Sequence, residues 1–171
     1  LTAEGVNITV VAGVFPNSQS FLEVKLLECK MAIEQGANEI DIVLALNAFM
    51  EGDFQRAAHE ISEIKKVVGD KHLKVILETG ALSSPDKIAA ASFLAMEAGA
   101  DFIKTSTGFS TAGATFADVE LFAKHVGPNV QIKAAGGISS MDDAEKFIEL
   151  GATRLGTSRI VKIVKNEQGS G

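Results

Sequence analysis

Two lysines stand where a charge is out of place. Lys104 follows the apolar run Asp101-Phe102-Ile103 and leads into Thr105-Ser106-Thr107-Gly108. Lys133 holds the matching place in Gln131-Ile132-Lys133-Ala134-Ala135-Gly136-Gly137. Both runs read as buried strands that open into a loop. Two ammonium groups at equivalent depth on neighbouring parallel strands repel each other, and burial penalises the charge further; both effects lower a lysine pKa. A neutral amine near pH 7 is a nucleophile able to form a Schiff base with a carbonyl. Asp41, in Glu39-Ile40-Asp41-Ile42-Val43, and Glu78, in Lys74-Val75-Ile76-Leu77-Glu78, add carboxylates at comparable strand positions. Directed into a barrel, Asp41 would accept a hydrogen bond from a lysine or hold a water for proton transfer. The bland alternative is a set of core ion pairs, and it weakens as corresponding strand positions accumulate.

Two glycine turns supply a second element of a site. Gly136-Gly137-Ile138-Ser139 and Gly156-Thr157-Ser158 each run from a strand into a helix start. Backbone N–H groups at such turns cradle phosphates, although tight turns need glycines for their own sake.

The elements that carry these residues are set by a repeat. Ile33-Glu34-Gln35-Gly36-Ala37-Asn38, Met96-Glu97-Ala98-Gly99-Ala100-Asp101 and Ile148-Glu149-Leu150-Gly151-Ala152-Thr153 each end an amphipathic stretch and precede a strand. Glycine just past a helix end suits the left-handed cap. The gaps between copies accommodate two strand-plus-helix units of roughly 30 residues each. Six strands are expected over residues 8–15, 39–46, 74–80, 102–108, 131–137 and 154–158, with helices near 20–35, 53–68, 85–98, 115–126, 140–150 and 158–166. Ser84-Pro85-Asp86 and Ser139-Ser140-Met141-Asp142-Asp143 carry helix-start chemistry. Alternating β and α elements form a doubly wound sheet or a closed barrel. No dinucleotide glycine fingerprint follows the first strand, where Gly13-Val14-Phe15-Pro16-Asn17 stands instead. Chemistry at the C-terminal ends of several strands favours the barrel. The fold class expected is therefore an α/β TIM-type (β/α)8 barrel in one domain spanning residues 1–171, with six of eight units visible.

Composition narrows the partners. The chain has 171 residues, 46% of them hydrophobic, and a net charge of −6. That suffices for one packed domain and argues against nucleic acid as a partner. No apolar run approaches the ~20 residues of a membrane span, and no signal peptide is evident. Cys29, the single cysteine, reads as a small buried thiol in a reducing, cytoplasmic setting. His59, His72 and His125 are dispersed, read as surface residues on helices or loops, and show no metal-ligand spacing. Asn7-Ile8-Thr9 matches a glycosylation sequon but lies in a strand pattern. Leu1 at the start and Gly169-Ser170-Gly171 at the end are compatible with trimmed or engineered termini.

The motifs Gly36-Ala37-Asn38-Glu39-Ile40-Asp41, Lys74-Val75-Ile76-Leu77-Glu78-Thr79, Asp101-Phe102-Ile103-Lys104-Thr105-Ser106-Thr107-Gly108 and Lys133-Ala134-Ala135-Gly136-Gly137 resemble, in order, those of the deoxyribose-phosphate aldolase family. The likeness runs from about Val6 to Val164. It implies a class I aldolase needing no metal or other cofactor. Its reaction would be reversible cleavage of 2-deoxy-D-ribose 5-phosphate to acetaldehyde and D-glyceraldehyde 3-phosphate, within deoxyribonucleotide catabolism. By position, Lys104 would form the Schiff base, Lys133 would lower its pKa, and Asp41 would help move protons. Gly108, Gly136, Gly137, Ser139, Gly156 and Ser158 would hold phosphate. Ser139 stands where many relatives carry a basic residue, Arg159 stands where many carry a small one, and the chain has no tyrosine. The family's two leading βα units have no counterpart here, so two open strand edges and self-association into a homo-oligomer are expected. The alternatives are another Schiff-base aldolase or transaldolase, and a non-catalytic scaffold retaining the motif residues.

Overall fold

In the computed structural model of the chain, which describes residues 4–110 and 112–169, strands and helices alternate throughout. The order is β1 (Thr9–Val11), α1 (Leu22–Glu34), β2 (Glu39–Val43), α2 (Leu46–Met50), α3 (Phe54–Val68), β3 (His72–Ile76), α4 (Thr79–Leu82), α5 (Pro85–Ala98), β4 (Phe102–Lys104), α6 (Phe116–His125), β5 (Gln131–Ala135), α7 (Met141–Glu149), β6 (Arg154–Gly156) and α8 (Arg159–Gln168). Leu1, Ser170 and Gly171 lie outside the described residues. The repeated signature ends α1, α5 and α7, and Gly36, Gly99 and Gly151 all take positive φ, at 104°, 110° and 124°. The expected helix starts hold too. Ser84 Oγ accepts from Lys87 N at 3.2 Å with Pro85 in the first turn, and Ser140 Oγ accepts from Asp143 N at 3.1 Å.

All six strands are parallel and neighbour one another in chain order, leaving β1 and β6 as edges. They are shorter than the apolar runs suggest, and β3 begins at His72 rather than at residue 74. The physical reason is that Leu44, Ala45 and Leu77 stay buried after their strands have ended, so hydrophobicity outlasts pairing. The segments after β2 and β3 turn into the short helices α2 and α4, which the periodicity does not reveal. His72 is likewise a strand residue and not a loop one.

The sheet has two unlike faces. Ile40, Ile42, Leu73, Val75, Ile103, Ile132 and Ala134 face the helices and join Ile61, Ile64, Ala91, Ala95, Val119 and Phe122 in one core. The alternate residues line the concave side, and these include Glu39, Asp41, Lys74, Lys104, Lys133 and Arg154. Arg154 on β6 bonds Glu39 on β2. Four strand spacings in a flat sheet amount to about 19 Å, beyond the reach of those two side chains. The sheet is therefore strongly curled, as a barrel wall must be. Among the described residues no helix is long and apolar enough to cross a membrane.

A buried ion pair braces the outer layer. Lys25 Nζ on α1 donates to Glu60 Oε2 on α3 at 2.8 Å and to Ser18 Oγ at 2.9 Å. Ser18 Oγ in turn donates to the Val43 carbonyl at 2.9 Å, tying the loop after β1 to the end of β2. Removing one partner leaves a bare buried charge, so Glu60→Ala is expected to lower the unfolding free energy by about 3 kcal/mol. The double replacement Lys25→Met/Glu60→Leu is expected to cost far less, which urea unfolding of the two variants will check.

Candidate active site

The register of the strands brings the charges together. Lys104 pairs directly with Lys133, and Lys133 with Arg154, so three successive strands carry cations at one level. Asp41 pairs with Lys74 one strand earlier in the curl. Inside, Asp41 is the hub. Its Oδ1 accepts from Lys74 Nζ at 3.1 Å and its Oδ2 from Lys104 Nζ at 3.1 Å, with Lys133 Nζ 3.9 Å from the same Oδ2. Asp41 is 1% exposed and Lys74 0%, whereas the Lys104 and Lys133 side chains retain 11% and 13% exposure toward the mouth.

Below this lies a second carboxylate. Glu39 accepts from Thr9 Oγ1 at 3.2 Å and from Arg154, sits 3.1 Å from Lys74 Nζ, and contacts His72 Nδ1 at 3.4 Å. Burial alone would push its carboxyl up, but hydrogen bonds from Arg154 and Lys74, and their charges, outweigh that and hold it at about 2. Phe102 is the apolar floor between the cations, with Lys74 Nζ 5.4 Å and the Arg154 guanidinium 4.7 Å from its ring centre. Lys133 is pushed down to about 8, first by burial and then by the Lys104 ammonium, against the opposing pull of Asp41. Gly156 makes room for Lys133, because a Cβ there would lie 3.3 Å from Lys133 Cε and 3.1 Å from Ala135 Cβ.

A cleft of about 290 Å³ opens above the lysines at the C-terminal end of the strands. Lys104, Gly108, Lys133, Gly136, Gly137, Gly156 and Ser158 all line it, joined by Ser106, Thr107, Thr157 and Arg159. Asp41 lies behind the lysines and is not part of its wall. Ser139 stands apart as well. It is exposed, and its hydroxyl donates to Asp143 Oδ2 at 3.3 Å. The two helix starts near the cleft therefore differ. That of α7 is capped by Ser140 and carries Asp142 and Asp143 in its first turn, whereas that of α8 has no acid there and begins with Arg159. An anion is favoured at the second.

Sequence reading did not single out Lys74, Glu39 and Arg154 for the site. Their signal was alternation: Glu39 and Asp41, Lys74 and Ile76, and Arg154 and Gly156 are two residues apart and so share a strand face. Cys29 is buried and free, its thiol pushed up to about 12 by burial and by nearby Glu28. His59 and His125 are exposed on α3 and α6, while His72 is half-buried beside Glu39. Among the described residues no group of three or more His, Cys, Asp or Glu side chains is placed to hold a metal ion.

Because Glu39 is held below its unfolded value, its pairing stabilises the fold above about pH 4.3 and is lost as pH falls toward 2. Arg154→Met is expected to raise the Glu39 pKa and to move acid unfolding to higher pH. Carboxyl-detected NMR titration and an acid denaturation curve measure the two effects.

The comparisons with known proteins bear on this geometry. Residues 11–158 match the model of the DeoC/LacD family aldolase. A deoxyribose-phosphate aldolase of Streptococcus agalactiae is 57% identical over 154 residues, covering 90% of this chain and 69% of that protein. One from Streptococcus pyogenes is 58% identical over 153 residues, covering 90% and 68%. Among solved structures, the aldolase QR15 superposes with a TM-score of 0.87 at 36% identity, covering 97% of this chain and 76% of that one. A tetrameric deoxyribose phosphate aldolase from Aeropyrum pernix does so with a TM-score of 0.84 at 35% identity, covering 96% and 69%. The chain, with its curled parallel sheet and its lysines gathered on one carboxylate, belongs to the DeoC/LacD family of aldolases.

Proposed function

We propose that this protein is a deoxyribose-phosphate aldolase, a class I carbon–carbon lyase that cleaves 2-deoxy-D-ribose 5-phosphate to acetaldehyde and D-glyceraldehyde 3-phosphate. The observation that carries this reading is the Asp41 carboxylate shared by Lys104 and Lys133 at the base of a cleft whose rim suits an anion. Lys104 Nζ adds to the C1 aldehyde of the open-chain sugar and water leaves, giving an iminium ion. A base takes the proton from the C3 hydroxyl, the C2–C3 bond breaks, and its electrons pass into the iminium as an enamine. Glyceraldehyde 3-phosphate departs. Protonation of the enamine at C2 and hydrolysis then release acetaldehyde and restore the amine.

The neighbouring groups fit the proton transfers. Asp41 receives protons from the lysines it contacts and returns them. Lys133, titrating at about 8, exchanges a proton readily near neutral pH, where roughly a tenth of it is already neutral. The concave face holds four cations, Lys74, Lys104, Lys133 and Arg154, against the carboxylates Glu39 and Asp41. This excess favours a doubly charged phosphate. The phosphate sits at Gly136, Gly137, Gly156 and Ser158, with Gly108 and Arg159 lining the same cleft. Ser139, whose hydroxyl donates to Asp143, does not line this cleft. We also infer that the protein self-associates. Its edge strands β1 and β6 are paired on one side only, and Val11 on β1 is 44% exposed.

Reduction with borohydride in the presence of acetaldehyde, followed by peptide mapping, tests the chemistry. The expected result is an ethyl adduct on Lys104, lost in Lys104→Leu and reduced at least about tenfold in Lys133→Leu. Labelling chiefly at Lys133, or none on the folded protein, would overturn the assignment.

A further inference from the structure

Glu78 touches neither lysine, yet its backbone is held in an unfavourable conformation beside the cleft. It follows β3 by two residues, is 6% exposed, and takes the left-handed values φ 52° and ψ 64°. Such strain in a residue other than glycine persists where surrounding contacts over-determine it. Among the described residues, the hydrogen bonds to its carboxylate come from the loop between β4 and α6. Thr107 N donates at 3.2 Å, Thr107 Oγ1 at 2.6 Å and Ser110 Oγ at 3.0 Å. The Thr107 hydroxyl then accepts from Phe109 N at 3.1 Å, which extends the chain along the loop. A backbone bond from Thr79 N to the Thr105 carbonyl, 3.0 Å, fastens the same corner.

The far side of this loop rests on the other wall of the cleft. Ala114 N donates to the carbonyls of Ala135 and Gly136, both at 3.0 Å. Gly113 approaches so closely that a Cβ would lie 2.6 Å from the Gly136 carbonyl carbon. The loop is thus fixed at Glu78 on one side and at the Gly136-Gly137 turn on the other. Thr107 and Gly108 in between line the same cleft as those glycines.

The geometry points to Glu78 as a positioning residue, a carboxylate clamp that sets the width of the phosphate end of the cleft by holding the β4–α6 loop. This inference rests on the functional reading given above. Because acetaldehyde has no phosphate, the clamp affects binding of the phosphorylated substrate more than formation of the Schiff base.

The test compares the unaltered chain with Glu78→Ala, Glu78→Gln and Thr107→Val. In Glu78→Ala, KM for deoxyribose 5-phosphate is expected to rise about tenfold, while acetaldehyde trapping on Lys104 stays within about twofold. Glu78→Gln is expected to recover most of the KM, since its amide still accepts from Thr107 N and donates to a hydroxyl. Amide hydrogen exchange at Thr107 and Phe109 should quicken by about tenfold or more in Glu78→Ala. If that variant does not fold, Thr107→Val, which removes the 2.6 Å bond from the loop side, is expected to raise KM and to quicken exchange at Phe109. Unchanged KM with unchanged exchange would overturn the clamp, as would a parallel loss of trapping and KM that Glu78→Gln does not rescue. If the unaltered chain fails to trap acetaldehyde, the aldolase reading fails, and amide exchange alone then decides the clamp.

Discussion

An isolated carboxylate in the interior of a protein is costly, and so is an isolated ammonium; each is tolerated when the other satisfies it. Asp41 is the point where this structure meets that constraint. Its Oδ1 and Oδ2 serve Lys74 and Lys104 at 3.1 Å, and Lys133 stands 3.9 Å away. One negative charge therefore has to serve three positive ones. Glu39, bonded to Arg154 and close to Lys74, takes a share of the excess. The arrangement remains short of negative charge, and it is that shortage that the cleft above offers to an anion.

The curl of the sheet follows from the same constraint. Asp41 on β2, Lys104 on β4 and Lys133 on β5 meet only because the strands bend around a common axis. The bending is supported from outside, where the aliphatic face of every strand packs on helices. The two faces divide the work. The helix-facing layer supplies hydrophobic stability, which lets the concave layer spend positions on charges that add little stability of their own. Glycines mark where backbone approaches limit the site. Gly113 lies against Gly136, and Gly156 lies against the Lys133 stem.

Much of this was legible in the sequence. The Gly-Ala signature located the helix ends, and the like placement of Lys104 and Lys133 anticipated their direct pairing in the register. The strand ends were not legible, since Leu44, Ala45 and Leu77 remain buried in the turns that follow. Nor was the second tier of charges. Glu39 begins β2 and Arg154 begins β6, where a polar residue looks like a solvated boundary. Only the curl, a long-range property, turns both inward to meet. Ser139 illustrates the converse: its position in the chain suggested the phosphate, but its hydroxyl turns to Asp143. Glu78 looked like another strand carboxylate, and its actual partners are on a loop some thirty residues away.

The central claim, that the Asp41 carboxylate offsets burial and mutual repulsion among the lysines gathered on it, is most directly tested by titrating the Lys133 side-chain amine by NMR in the unaltered protein and in Asp41→Asn. Asp41 opposes the burial and the Lys104 charge that together bring Lys133 down to about 8. Its neutralisation should therefore lower the Lys133 pKa further. A Lys133 pKa that stays where it was, or rises, would contradict the account.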